Sequence, residues 1–294
     1  MLSGAPSRGV LRRITELAGD GARVASVRVL VGGIHAATYL VETAEPSMSV
    51  VVREFPVGDP AGRREERVLT SLDGLAGLAL RLLASDVAGA WSDRPTVVIS
   101  RMPGVASIRP RDPEGWAREL GRVLARVHAT AASRRVGLES VFDREGGSPA
   151  ALDGPAAAAV TAGWAALSGA PSVLVHHDFW SGNVVWSGEK ISGVVDWSGA
   201  VNGPAGFDVG WCRLDLYLLF GEHIANVFFR AYEAATGSVD RELLALWDLW
   251  ALARSHRDVE DWVGNYRDLG RADLTAVELR RRHEAWTRHV MGVR

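Results

Sequence analysis

The spacing of apolar residues changes near Met102, and that change constrains the fold more than any single motif. Before it, short β-branched runs alternate with glycine and proline. Val24 to Val31 leads into Gly32-Gly33, Ala37 to Val41 follows, and Met48 to Phe55 carries three consecutive valines ahead of Arg53. Strand, glycine turn, strand is the pattern of an antiparallel hairpin. Thr96 to Met102 predicts a further strand, stopped at Pro103-Gly104. Two helices are predicted in this stretch, Arg8 to Leu17 and Ala61 to Leu72, the second with Val68, Leu69 and Leu72 on one face. Beyond Gly104 helical spacing takes over. Pro113 to Ala129 puts Trp116, Leu120, Val123, Leu124 and Val127 on one face, and Ala156 to Leu167 predicts another helix. Two short strands, Val173 to Val175 and Ile191 to Val195, interrupt an otherwise helical remainder. The chain therefore reads as α+β, with a β-rich unit over 1–102 and a mainly helical unit over 103–294.

Composition narrows the function. With 294 residues and 47% hydrophobic content, the chain can bury two modest cores. A net charge of -2 argues against nucleic-acid binding, which calls for a basic face. Cys212 is the only cysteine, so no intrachain disulfide can form. No apolar run approaches the roughly 20 residues needed to span a bilayer. These features predict a cytoplasmic protein with no membrane partner.

The densest cluster of chemistry lies in Val-Leu-Val-His176-His177-Asp178, through Asn183, to Val-Val-Asp196-Trp197. An apolar strand runs into a polar loop, and a second apolar strand ends on an aspartate. The apolar flanks pin the loop to a rigid base. Asp178 could accept a proton from a hydroxyl. Asn183 and Asp196 offer hard oxygens of the kind Mg²⁺ takes beside substrate phosphates. A zinc site on the adjacent histidines is disfavoured, because neighbouring strand residues face opposite ways.

His176-x-Asp178-x-x-x-x-Asn183, with Asp196 thirteen residues after the asparagine, resembles the catalytic and metal loops of protein-kinase-like phosphotransferases. Asp-Trp at 196–197 resembles the aminoglycoside phosphotransferase and choline kinase branch. The similarity runs from about residue 24 to 215. It implies a two-lobed protein-kinase-like fold, with a small antiparallel β-rich N-lobe, a mainly helical C-lobe, and ATP with Mg²⁺ in the cleft between them. It implies that Asp178 is the base and that His176 orients the catalytic loop by hydrogen bonds. Asn183 and Asp196 would be the metal ligands. Gly32 and Gly33 would form the nucleotide-covering turn. Arg53 would contact the ATP phosphates where many members use lysine, and Glu65 would pair with it. This chain's only lysine is Lys190. Ser100 and Met102 would lie in the strand that bonds adenine. Leu124 to His128 resembles the helix before the catalytic loop, and Asp208 resembles an aspartate that braces it. Two positions depart from the family pattern: histidine at 177, where glycine is frequent, and serine at 198, where glutamate is frequent.

The resemblance implies phosphoryl transfer from ATP to a small-molecule hydroxyl. Aminoglycosides, sugars, choline-like compounds and amino alcohols all remain open as acceptors, and so does a non-catalytic nucleotide-binding scaffold. Residues 247–265 predict one helix, with Trp247, Trp250, Arg254, Asp258 and Asp261 along one face. Asp258 and Asp261 are the candidate acceptor ligands. Arginines at 254, 257, 267 and 271 interleave with the acidic residues there, which weighs against a purely polycationic acceptor.

Overall fold

The β-branched runs of the first third pair as strands. In the computed structural model, which describes residues 5–30, 36–135, 137–144, 152–237 and 241–293, these are β1 (Arg23–Leu30), β2 (Ala37–Ala44), β3 (Met48–Glu54), β4 (Leu82–Asp86) and β5 (Thr96–Ser100). Among the described residues they form one antiparallel sheet in the order β1-β2-β3-β5-β4. Val50 and Val52 of β3 point to one side, with Tyr39, Val41 and Val98 from the neighbouring strands. Val10 and Ile14 of α1 (Arg8–Ala18) close that layer. The Ser7 hydroxyl caps α1 by accepting from Val10 N–H. The other main helix, α2 (Ala61–Leu72), buries Glu65 together with Val68, Leu69 and Leu72.

The chain divides into two compact units. One runs to Pro103 and includes Trp197–Gly199; the other holds Gly104–Asp196 and Ala200 onward. Trp197–Gly199 pack on α2 within the first unit.

In the second unit, β6 (Val105–Ala106) precedes α3 (Pro113–His128). Asp112 starts α3 by accepting from Gly115 N–H, with Pro113 at the first helical position. The short α4 (Val141–Arg144) and α5 (Ala157–Ser168) lead to β7 (Ser172–Val175), β8 (Val184–Ser187), β9 (Lys190–Val194) and β10 (Val201–Pro204). The described strands make two small sheets, β6-β8-β9 and β10-β7. Sequence reading had two of these strands. The others are short: β8 forms a tight hairpin with β9, while β6 and β10 pair with strands distant in sequence.

Helices α6 (Gly206–Phe220), α7 (Glu222–Thr236), α8 (Arg241–Ser255), α9 (Val263–Asp268) and α10 (Ala276–Val290) complete the unit. Gly206 and Gly210 let α6 approach α8 closely. A Cβ at Gly206 would lie 2.1 Å from the Trp247 indole, and one at Gly210 would lie 2.5 Å from the Trp247 carbonyl oxygen. The single helix predicted over 247–265 is not formed. Helix α8 stops at Ser255, a 3-10 turn covers Val259–Trp262, and α9 follows. In the last turn of α8 the Ala253 carbonyl, left without a helical donor, accepts from Asp153 N–H at 3.0 Å, a partner distant in sequence.

Candidate active site

The polar loop His176–Asn183 leaves β7 and returns into β8, and one face of α6 holds it. Asp208, Trp211 and Asp215 are spaced i, i+3 and i+7 along that helix, so all three side chains face the loop. Asp208 accepts from His176 N–H at 2.7 Å and His177 N–H at 2.8 Å. It also accepts from His128 Nε2 at 3.1 Å, while Tyr232 hydroxyl bonds the other ring nitrogen of His128 at 2.7 Å. Burial pushes the Asp208 carboxyl up, but the hydrogen bonds it accepts from His128 and from the His176 backbone outweigh it and leave the group below its usual range. Asp215 secures the other end of the loop, accepting from Ser181 N–H at 3.0 Å and Tyr266 hydroxyl at 2.9 Å. Burial raises its carboxyl.

Between these two braces stands Asp178. Trp211 Nε1–H donates to Asp178 Oδ1 at 3.2 Å, and Asn183 Nδ2 donates to Asp178 Oδ2 at 2.9 Å. Asn183 Nδ2 also donates to the Asp178 carbonyl oxygen at 2.9 Å. Burial first, and then the Asp196 carboxylate, raise the Asp178 carboxyl to about 7. A carboxyl poised near neutrality can take a proton and release it again. Each of its oxygens keeps a second lone pair for a hydroxyl.

His176 is fully buried, and its Nε2 lies 2.9 Å from the Val195 carbonyl oxygen. A carbonyl only accepts, so Nε2 carries the proton there. Burial lowers the pKa of the ring and keeps it neutral. The ring thereby ties the loop to the strand end that carries Asp196. His177 adopts a φ of +67°, the left-handed conformation that favours glycine. Histidine thus occupies a backbone slot that glycine would fill without strain. Asp196 is also left-handed, with φ of +59°, where the chain turns away from β9.

Asn183 turns both amide protons toward Asp178, so its amide oxygen faces the other way. The Asp196 carboxylate is close enough to repel Asp178. An amide oxygen beside carboxylates that repel one another fits Mg²⁺, which favours hard oxygens and leaves further positions to water and phosphate. Among the described residues, no cluster of three or more His, Cys, Asp or Glu side chains is placed to hold a metal. Any cation held here would therefore take only a thin set of protein ligands.

In the first unit, Arg53 Nη1 lies 2.5 Å from Glu65 Oε1, with side-chain exposures of 8% and 0%. Its guanidinium also sits 5.4 Å from the centre of the Phe55 ring. The neighbouring Glu66 bonds the Ser85 hydroxyl instead. Ser100 ends β5, and its N–H is committed to the Arg81 carbonyl at 2.9 Å. Met102 follows the strand and is half-buried. Gly32 and Gly33 lie outside the described residues.

A cavity of about 250 Å³ opens beside Asp178, walled by Trp211, Trp250 and Trp262 and by Arg254 and Asp258. The His177 side chain also lines it. The Trp211 ring centre is 5.2 Å from that of Trp262 and 6.1 Å from that of Trp250. Asp258 reaches this cavity; Asp261 is solvent-exposed and is not part of its lining. Sequence reasoning passed over Trp211, Asp215 and Trp262. The i, i+3, i+7 spacing of 208, 211 and 215 was a signal that could have found the first two.

A model of the phosphotransferase enzyme family (APH) matches residues 26–247, and the chain belongs to that family. A homoserine kinase of Bradyrhizobium sp. is 27% identical over 206 residues, covering 64% of this chain and 57% of the kinase. The chain spans about half the length of the curated relatives it matches. Choline kinase LicA from Streptococcus pneumoniae shares the fold, with a TM-score of 0.64 at 16% identity over 96% of this chain and 98% of LicA. A thermostable mutant of aminoglycoside phosphotransferase APH(4)-Ia, in complex with AMP-PNP and hygromycin B, gives 0.64 at 19% identity over 96% and 98%. The fold is thus one used by small-molecule kinases. Among the described residues no helix is long and apolar enough to cross a membrane.

Proposed function

We propose that this protein transfers the γ-phosphoryl group of ATP to a hydroxyl of a small molecule, with Asp178 as the group that receives the hydroxyl proton. The observation that carries this reading is Asp178 itself. It is raised to about 7, fixed on both oxygens by Trp211 and Asn183, and exposed to a cavity that can hold an acceptor. As the new bond forms between the acceptor oxygen and phosphorus, the bond from phosphorus to the β–γ bridging oxygen breaks and ADP leaves. The hydroxyl proton passes to an Asp178 oxygen. Holding the hydroxyl in line is the larger part of the task, and the two fixed Asp178 oxygens provide that positioning.

Asn183 and Asp196 would hold Mg²⁺, which when bound supplies positive charge to the phosphates. Arg53 would contact those phosphates through its fork, oriented by Glu65. The adenine bond would come from the chain at Met102, since the Ser100 N–H is already engaged. His176 and Asp208 would act on the reaction only through the loop they hold. A cytoplasmic location follows from dependence on ATP. Homoserine, choline and hygromycin B, associated with the similar proteins, all carry hydroxyls, which supports an alcohol acceptor.

The test is a screen of small hydroxylated compounds with Mg-ATP, reading ADP release, on protein first shown by thermal shift to bind Mg-ATP. Acceptor-dependent ADP release supports the reading. Binding of Mg-ATP with no release for any alcohol would contradict it.

A further inference from the structure

We infer that the cavity beside Asp178 selects a small zwitterionic alcohol, whose carboxylate is met by Arg254 and whose ammonium group is met by Asp258. The inference rests on the phosphotransfer reading and narrows its acceptor.

Size is the first constraint. Sites for drug-sized ligands run to about 300–1,000 Å³. The cavity here, about 250 Å³, suits a compact molecule better than a multi-ring one. The second constraint is charge. Arg254 in the last turn of α8 and Asp258 just beyond it both line the cavity, and both are solvent-exposed. Nearby arginines are already paired, Arg257 with Asp153 and Arg280 with Glu260. Among the described residues Arg254 has no such ion pair. Asp258 begins a 3-10 turn but its side chain caps none of that turn's N–H groups. One cation and one anion therefore face the same small space as the proposed base.

The third constraint is the aromatic wall. Trp211, Trp250 and Trp262 line the cavity, and an ammonium group seated over an indole gains cation–π attraction. A purely cationic acceptor would use those indoles and Asp258 but would be repelled by Arg254. A purely anionic acceptor would use Arg254 but meet Asp258 and Asp178. Only a molecule bearing both charges gives each charged wall residue an opposite partner. Charge-assisted hydrogen bonds of this kind are roughly twice as strong as neutral ones, and a like charge set against either wall residue is rejected.

The experiment measures kcat/KM for ADP release by the full chain with Mg-ATP and matched acceptors. L-Homoserine and L-serine carry both charges. 3-Aminopropan-1-ol lacks the carboxylate, 4-hydroxybutanoate lacks the ammonium group, and choline and hygromycin B are cationic. The inference predicts that a zwitterion exceeds each single-charge analogue by about tenfold or more. Arg254→Ala should erase the advantage over 3-aminopropan-1-ol through KM, with the KM for ATP unmoved, and Arg254→Lys should restore part of it. Asp258→Asn should erase the advantage over 4-hydroxybutanoate in the same way. Preferred turnover of choline or hygromycin B would overturn the inference. So would an Arg254→Ala enzyme with unchanged acceptor ratios. Failure of every zwitterion in protein that still binds Mg-ATP would overturn it as well. Failure to bind Mg-ATP at all would instead overturn the phosphotransfer reading, and the inference with it.

Discussion

The indole N–H of Trp211 lies 3.2 Å from Asp178 Oδ1, so an aromatic side chain of the cavity wall holds the proposed base in place. That bond favours the ionised carboxylate, and together with the Asn183 bond it offsets part of the rise caused by burial and by Asp196. Trp211→Phe keeps most of the ring and removes the donor. The Asp178 carboxyl should then move above about 7. The ascending limb of the kcat/KM profile against pH should shift upward with it, because the base must lose its proton before it can act. Turnover at neutral pH should fall by roughly 2- to 12-fold, the worth of one such bond. A pH–rate profile checks this, and an unmoved limb would separate Trp211 from the base.

Asp178 also makes stability depend on pH. Its carboxyl is raised to about 7 in the fold, against about 3.9 in an unfolded chain. Between those values the folded state keeps a proton that the unfolded state has released. Stability therefore falls as pH rises through that window and levels off above it. Asp178→Asn abolishes the effect. One amide oxygen cannot serve both the Trp211 and Asn183 donors, so the variant carries a constant offset as well. The difference in Tm between variant and parent should grow in the variant's favour from pH 4.5 to about pH 7.5. Thermal melts across that range provide the check, and a difference independent of pH would contradict the account.

The buried pair in the first unit gives a stability prediction of another kind. Glu65→Ala leaves the Arg53 guanidinium buried without its carboxylate partner. Removing one member of such a pair costs about 3–5 kcal/mol. Urea denaturation of parent and variant measures this directly. A loss under about 1 kcal/mol, typical of an exposed pair, would show that Arg53 finds water or another partner.

Much of this was legible in the sequence because the signals were local. The three valines before Arg53 and the apolar flanks of the 176–183 loop are short-range patterns, and strands form at each of them. The apolar face predicted from Val68, Leu69 and Leu72 is the buried face of the helix, and Glu65 lies on it. What escaped depended on contacts distant in sequence. The two-residue strand Val105–Ala106 is recognisable only through its pairing with Val185 and Trp186, far later in the chain. The helix predicted over 247–265 ends at Ser255, where Asp153, about a hundred residues upstream, bonds the Ala253 carbonyl of its last turn. Trp211 sat on the same helix face as Asp208, but its partner Asp178 lies 33 residues earlier, beyond the reach of helical periodicity.

Asp196 supplies a test of the metal assignment. Asp196→Ala removes one of the two proposed Mg²⁺ ligands and also the carboxylate that repels Asp178. ATP affinity should lose its enhancement by Mg²⁺, and the Asp178 carboxyl should fall from about 7. Calorimetric titration with ATP, with and without Mg²⁺, reads the first effect. Retention of the parental enhancement would place the metal elsewhere.

The central claim is that Asp178 receives the hydroxyl proton during phosphoryl transfer. It is tested most directly by following the γ-phosphoryl group from labelled ATP to the acceptor in single-turnover reactions of the parent and Asp178→Asn. The account predicts phosphorylated acceptor from the parent and a transfer rate lower by about a hundredfold or more in the variant, with ATP still bound. Equal transfer rates in the two proteins would contradict it.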